Sequence, residues 1–179
     1  MNRGTTDRSE AVCGAPRVAK IDYNSRSTSH ERGDMSHPTM PQDTASVNKR
    51  LPTCLFCRFD DHTANKIFLE STNFYARFDN FPAAPGHLEI VPKRHIVSFF
   101  ELTPVDASEI YELMSDVRRL LASLHDPHGY TIGINEGRVA GRSIDHLHIH
   151  LIPRYEGDVV DPRGGIRQIL PNCNPQLWG

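Results

Sequence analysis

No stretch of this 179-residue chain approaches the roughly 20 consecutive apolar residues that a membrane-spanning helix needs, and its start lacks the apolar core of a secretory signal. The expectation is a cytoplasmic protein with no membrane partner. Cysteine is scarce. Four in a chain of this length are too few for a disulfide scaffold. Only Cys54 and Cys57 stand close, in a C-x-x-C pair that suits metal or redox work, while Cys13 and Cys173 have no near partner. Nor is there an excess of charge of either sign. A formal net charge of −2 gives no whole-molecule attraction to nucleic acid, so an anionic ligand must be held by a local cluster of donors.

Residues 1–49 contain no Leu, Phe or Trp, and Ser, Thr, Arg, Asp, Asn and Pro recur there without a period of 2 or 3.6. Such a segment buries too little apolar surface to offset its ordering entropy, so it reads as a disordered extension. A start codon assigned too early, with Met35 or Met40 as the true start, gives the same pattern, and a regulatory arm is the rival reading. The expected organisation is this extension at 1–49, one domain at 50–155 and a tail at 156–179.

Apolar clusters begin at Leu51. Ile67 to Leu69, Phe74 to Phe78 and Leu88 to Val91 read as strands. The last two are joined by a loop from Asp79 to Gly86 that holds two prolines. Thr103-Pro104-Val105-Asp106 is a helix start, with Thr as the cap and Pro at the first helical position. Ile110, Leu113, Met114, Val117, Leu120, Leu121 and Leu124 then form an apolar face that runs to about His125 and covers a sheet. Tyr130 to Asn135 reads as a further strand, Glu136 to Ser143 as a loop and Asp145 to Pro153 as a last strand. The fold class is α+β, an antiparallel sheet of about five strands with one long helix packed on a face.

In Asp145-His146-Leu147-His148-Ile149-His150-Leu151-Ile152 polar and apolar residues alternate. On a strand all three histidines therefore face one way and the apolar residues the other. His146 and His150 would be roughly 13 Å apart on a straight strand, too far for one metal ion to gather all three easily. The spacing argues for divided labour. The loop Gly137-Arg138-Val139-Ala140-Gly141-Arg142-Ser143 before them can present backbone N–H groups and a hydroxyl to an anion. Nucleophilic chemistry on an anionic substrate follows, against the rivals of a solvated His-rich edge strand or a row of metal ligands.

The run His146 to Ile152 resembles the signature of the histidine-triad family, His-φ-His-φ-His-φ-φ with φ apolar, and matches it at every position. The resemblance covers about residues 52–155. It takes in Cys54-Leu-Phe-Cys57, the turn from Asp79 to His87, Val91-Pro92-Lys93-Arg94-His95, the helix and Asn135-Glu136-Gly137. It implies a HIT-like fold, a nucleotide as small-molecule partner and a commonly dimeric assembly, for which the single Trp178 is a candidate interface residue. The implied reaction has two steps, in which His148 attacks the α-phosphorus of a nucleoside phosphate derivative and then releases the nucleotide to water, phosphate or another acceptor. By the same carry-over His150 bonds phosphate oxygens and Asp79 holds ribose hydroxyls. Asn135, the Gly141 backbone and the Ser143 hydroxyl complete the pocket for the growing charge, and His87 lies nearby.

Relatives that keep the C-x-x-C pair complete a structural zinc site with the His that ends the Pro-x-x-His turn and the first His of the triad. Cys54, Cys57, His95 and His146 are the implied ligands, and a closed site of this kind leaves the chemical step free of metal. A redox role for the cysteines is the alternative. The chain departs from its relatives at Arg142, where many have Gln; a bidentate contact to an extra phosphate of a longer polyphosphate is one reading and an Arg facing water the other. Arg163 and Arg167, with Gly164 and Gly165, form either a basic lid or a solvated tail. The functions in play are a hydrolase or nucleotidyl transferase acting on dinucleoside polyphosphates or nucleoside phosphoramidates, a phosphorylase, a nucleotide-binding protein with negligible turnover, and a hydrolase with catalytic zinc.

Overall fold

The computed structural model describes residues 50–171. The expected extension at 1–49 and the Trp178 and Cys173 readings lie outside the described residues. Five strands and one helix run in the order β1 (Ile67–Glu70), β2 (Phe74–Phe78), β3 (Leu88–Pro92), α1 (Pro104–His125), β4 (Gly129–Gly133) and β5 (Ile149–Arg154). The strands form one sheet in the order β1-β2-β3-β5-β4, antiparallel at every pairing.

Alternation divides the sheet into two working faces. Phe74 and Ala76 of β2, Leu88 and Ile90 of β3, and Ile149 and Leu151 of β5 meet Ile110, Leu113, Val117 and Leu121 of α1 in the main core. Tyr75 and Val91 point the other way and pack with Phe56 in a smaller cluster below the chain that carries the cysteines. The helix buries a narrower stripe than its sequence suggests. Leu120 and Leu124 are 44% and 62% exposed, because they lie one step round the helix from the line through Val117 and Leu121.

Helix α1 begins as its sequence predicts. The Thr103 side chain accepts the Asp106 backbone N–H, and the Asp106 carboxylate accepts the Thr103 backbone N–H in return. Arg94, in the turn after β3, forks onto the same carboxylate at 2.7 and 2.8 Å and so ties that turn to the helix start. This Arg94 hydrogen bonding, aided by the Thr103 donors, holds the Asp106 carboxyl down at about 2 against its burial. Asp106→Asn is expected to cost about 2 kcal/mol in urea unfolding at neutral pH. The wild-type contribution is complete above the ordinary carboxyl value of 3.8 and fades as pH falls through about 2. Asp106→Asn should therefore lack that part of the acid-induced loss of stability.

The last strand is shorter at its start than its alternation suggests. Pairing with β3 runs only from Ile90 opposite Ile149 to Leu88 opposite Leu151, so His146 and His148 precede the ladder. The physical reason is Pro92. It has no N–H to donate, and its carbonyl is taken by the His146 ring at 2.9 Å, so Leu147 turns its N–H to the Ile96 carbonyl instead. Strand β4 likewise ends at Gly133, two residues before the expected Asn135.

Candidate active site and metal centre

The two halves of the C-x-x-C pair fold back against the turn after β3. Cys54 Sγ lies 3.4 Å and Cys57 Sγ 3.5 Å from His146 Nδ1, and Cys57 Sγ lies 3.3 Å from His95 Nδ1. In a tetrahedron with Zn–S near 2.3 Å and Zn–N near 2.05 Å, the S···N edge is about 3.6 Å. The donor set therefore fits a zinc ion. The tautomer agrees, since the Pro92 carbonyl can only accept and so fixes the proton of His146 on Nε2, leaving Nδ1 with its lone pair facing the sulfurs. Burial pushes the Cys57 thiol up, so a bound cation is needed to hold it as thiolate.

His148 receives the opposite orientation. Its Nδ1–H donates to the His146 carbonyl at 2.8 Å, which leaves Nε2 as a free lone pair. Burial lowers its pKa despite that hydrogen bond. The Phe56 ring packs on both His146 and His148, with centroids at 5.7 and 5.2 Å. His150 is set by a chain of donors. The Ala83 backbone N–H donates to His87 Nδ1 at 3.1 Å, so in neutral His87 the proton sits on Nε2 and donates to His150 Nδ1, also at 3.1 Å. His150 then carries its own proton on Nε2. Burial, with the nearby His148 and His87 rings, lowers its pKa to about 4, so it is a neutral donor at pH 7.

A cavity of about 240 Å³ opens above these rings. Of the residues picked from the sequence, Asp79, Asn135, Ser143, His148 and His150 line it together. Asp79 serves two ends, since Oδ1 accepts the Phe81 backbone N–H at 2.7 Å while Oδ2 stands 3.6 and 3.8 Å from the rings of His87 and His150. Gly141 has φ +100° and lies against Asn135, where a Cβ would come within 3.7 Å of the amide. Arg142 turns elsewhere. Its guanidinium donates to the Val97 carbonyl at 3.2 Å and approaches Glu136 and Asp145 at 3.7 and 3.3 Å. The tail forms a short turn, Gly165–Ile169, with Ile166 against Gly133, and Arg163 pairs with Asp161.

Of the cavity residues not picked from the sequence, Arg77, Glu89 and Phe56 matter most to the site. Arg77 and Glu89 form a buried ion pair on the floor, and Phe56 makes a wall. The available signal was a single charge inside each of two otherwise apolar strands, FYARF and LEIVP.

The sequence profile described as HIT domain matches residues 61–157, more than half of the chain. The chain belongs to the HIT family. Among relatives of this HIT protein, the AP-4-A phosphorylase of Mycobacterium tuberculosis is 36% identical over 85 residues, which cover 47% of the chain and 44% of that protein. The chain thus spans less than half the length of this curated relative. A crystal structure of a HIT family protein from Bacillus anthracis is 30% identical, with a TM-score of 0.55 over 60% of the chain and 77% of its own. A Zn-bound histidine triad family protein from Mycobacterium smegmatis is 28% identical, with a TM-score of 0.54 over 61% and 80%. These neighbours share the sheet-and-helix fold. Among the described residues no helix is long and apolar enough to cross a membrane.

Proposed function

We propose that this HIT protein is a nucleotide hydrolase or nucleotidyl transferase that cleaves dinucleoside polyphosphates or nucleoside phosphoramidates at the α-phosphate through a covalent nucleotidyl-His148. The observation that carries the reading is the orientation of His148. Its Nδ1–H is held by the His146 carbonyl and its Nε2 lone pair is free beside a cavity lined by Ser143, Asn135 and His150.

In the first step Nε2 attacks phosphorus, a P–N bond forms and the P–O or P–N bond to the leaving group breaks. A phosphate leaving group departs as the anion, and an amine leaving group takes its proton from solvent. The positive charge left on the His148 ring is steadied by its bond to the His146 carbonyl. His150 Nε2–H, the Ser143 hydroxyl and the Asn135 amide offer donors to the phosphoryl oxygens where charge accumulates. In the second step water attacks phosphorus, the P–N bond breaks, neutral His148 returns and the proton of the water is released. Asp79 holds ribose hydroxyls in this reading. Cys54, Cys57, His95 and His146 would hold a structural zinc, which braces the segment and takes no part in either step.

A second acceptor is favoured by the name of one relative, AP-4-A phosphorylase. Incubation of an α-labelled substrate with and without inorganic phosphate separates the two. With diadenosine tetraphosphate as substrate, AMP and ATP in both cases support the hydrolase, whereas ADP and ATP that form only with phosphate support the phosphorylase. A folded protein that leaves no label on His148 and turns over no member of a substrate panel would sink both.

Arg142, balanced by Glu136 and Asp145 and turned to the Val97 carbonyl, acts in this proposal through the loop and not on a distal phosphate. Arg142→Gln should therefore leave the preference among tri-, tetra- and pentaphosphate-bridged substrates within about twofold of wild type. A selective loss on the longer chains would return Arg142 to the polyphosphate.

A further inference from the structure

The face of the sheet beneath the cavity carries a row of polar groups set by register. Arg77 of β2 stands opposite Glu89 of β3, and Glu89 stands opposite His150 of β5. Cross-strand partners on one face lie side by side, so Glu89 is placed between the guanidinium and the imidazole. Arg77 and Glu89 are only 2% and 5% exposed, yet both line the cavity. Arg77 pairs with Glu89 through one terminal nitrogen, donates to the Ala64 carbonyl at 3.2 Å through the other and stacks over Phe56 at 5.3 Å, while its buried Nε has no hydrogen-bond partner among the described residues.

Stability gives no reason for this arrangement. A buried ion pair is often replaced by apolar residues of similar size with no loss or even a gain, and the surrounding strands are apolar already. A reason lies in the site. A carboxylate oxygen of Glu89 and ring nitrogens of His148 and His150 lie within 4.8 Å of one another. With His148 Nε2 kept for phosphorus, a single atom set between Glu89 and His150, whose ligand atoms are no more than 4.8 Å apart, lies within hydrogen-bond reach of both. In the proposed reaction the atom that belongs there is an oxygen of the substrate's phosphate, which only accepts. An ionised carboxylate at that distance would repel it.

We propose that Glu89 binds the substrate phosphate as a neutral acid, with Arg77 clamping the carboxyl so that its O–H points at the same oxygen that His150 holds. The assignment rests on the nucleotide reading of the site given above. Burial raises the Glu89 carboxyl to about 7, against the pull of Arg77 and with help from Asp79, so the acid form is within reach at neutral pH. The groups that face it are Arg77 and Tyr75 from β2, Asp79 from the following turn, and His148 and His150 from the triad segment. A phosphate in place favours the proton on Glu89, and a rise in pH removes it. Nucleotide affinity must then fall with alkalinity.

The test is the Kd of AMP, read by calorimetry on the full chain between pH 7 and 9, where the phosphate is already a dianion because its second pKa is about 6. Wild type should weaken by up to about tenfold for each pH unit above the Glu89 midpoint, as expected for one linked proton. Glu89→Gln keeps a donor that cannot ionise, and its affinity should stay within about twofold over the same range. Because Glu89→Gln leaves the Arg77 charge buried without its partner, the double change of Arg77→Met with Glu89→Gln is measured alongside and should show the same flat profile. Equal slopes in wild type and both variants would overturn the assignment of Glu89 and leave the proposed function standing. Failure of folded wild type to bind AMP at any of these pH values would overturn both. A pH-linked affinity abolished by the Glu89 variants, in a protein that never labels His148, would support Glu89 and count against the covalent mechanism alone.

Discussion

His148→Ala should lower kcat by at least about ten-thousandfold on any substrate the wild type turns over, and should leave the fold and the metal content unchanged. The size follows from the role, since among the described residues no other histidine at the cavity keeps a ring nitrogen with its lone pair open to a substrate. His150 Nδ1 receives the His87 proton and its Nε2 carries one, and His146 Nδ1 faces the cysteines. The fold survives because the His148 ring donates one hydrogen bond to a carbonyl and rests on one face of Phe56, while the strand that follows is anchored by Ile149 and Leu151 in the main core. Rapid quench with an α-labelled substrate should show acid-labile label on wild type and none on His148→Ala. His150→Ala should instead slow formation of the labelled protein while still permitting it, since it removes a donor to the phosphate and not the attacking atom. Equal label on wild type and His148→Ala would sink the covalent step.

Much of this arrangement is legible one element at a time. The spacing of Ile110, Leu113, Val117 and Leu121 gives the helix and its buried stripe, Thr103-Pro104 gives its start, and the prolines between Asp79 and Gly86 give the turn. Those are local patterns, and local backbone preference decides them. The triad strand was legible in its alternation but not in its start. A missing N–H at Pro92, more than fifty residues earlier, ends the ladder and frees His146 to bend toward the cysteines. Nothing in the run from Asp145 to Ile152 records that.

The Arg77–Glu89 pair was hidden for a related reason. Each residue alone looks like an ordinary charge on a half-exposed strand, and only the β2–β3 register sets one against the other beneath the cavity. The order of donors from Ala83 through His87 to His150 is likewise a product of the turn's folded shape. Chemistry-bearing residue types can be picked from a sequence, whereas the proton positions that assign them roles depend on carbonyls and N–H groups supplied from distant segments.

Removal of the metal should hit both stability and activity, and this asymmetry with His148→Ala distinguishes a bracing ion from a catalytic one. Cys57→Ser, or treatment with a strong chelator, is expected to take zinc from about one per chain to near zero and to lower Tm by at least about 10 °C, since an ion bound a thousandfold above its Kd contributes about 4 kcal/mol. The loss extends to the reaction through one residue. His146 offers Nδ1 to the cluster and its own carbonyl to His148 Nδ1–H, so whatever holds the His146 ring also holds the acceptor that aims His148. Without the ion, Cys54, Cys57, His95 and His146 lose the bonds that gather them, burial keeps the Cys57 thiol protonated, and the segment gains freedom. Activity should drop while any remaining turnover still labels His148. If instead chelation abolishes turnover with Tm and circular dichroism unchanged, the metal is acting on the substrate, and its place among Cys54, Cys57, His95 and His146 is wrong.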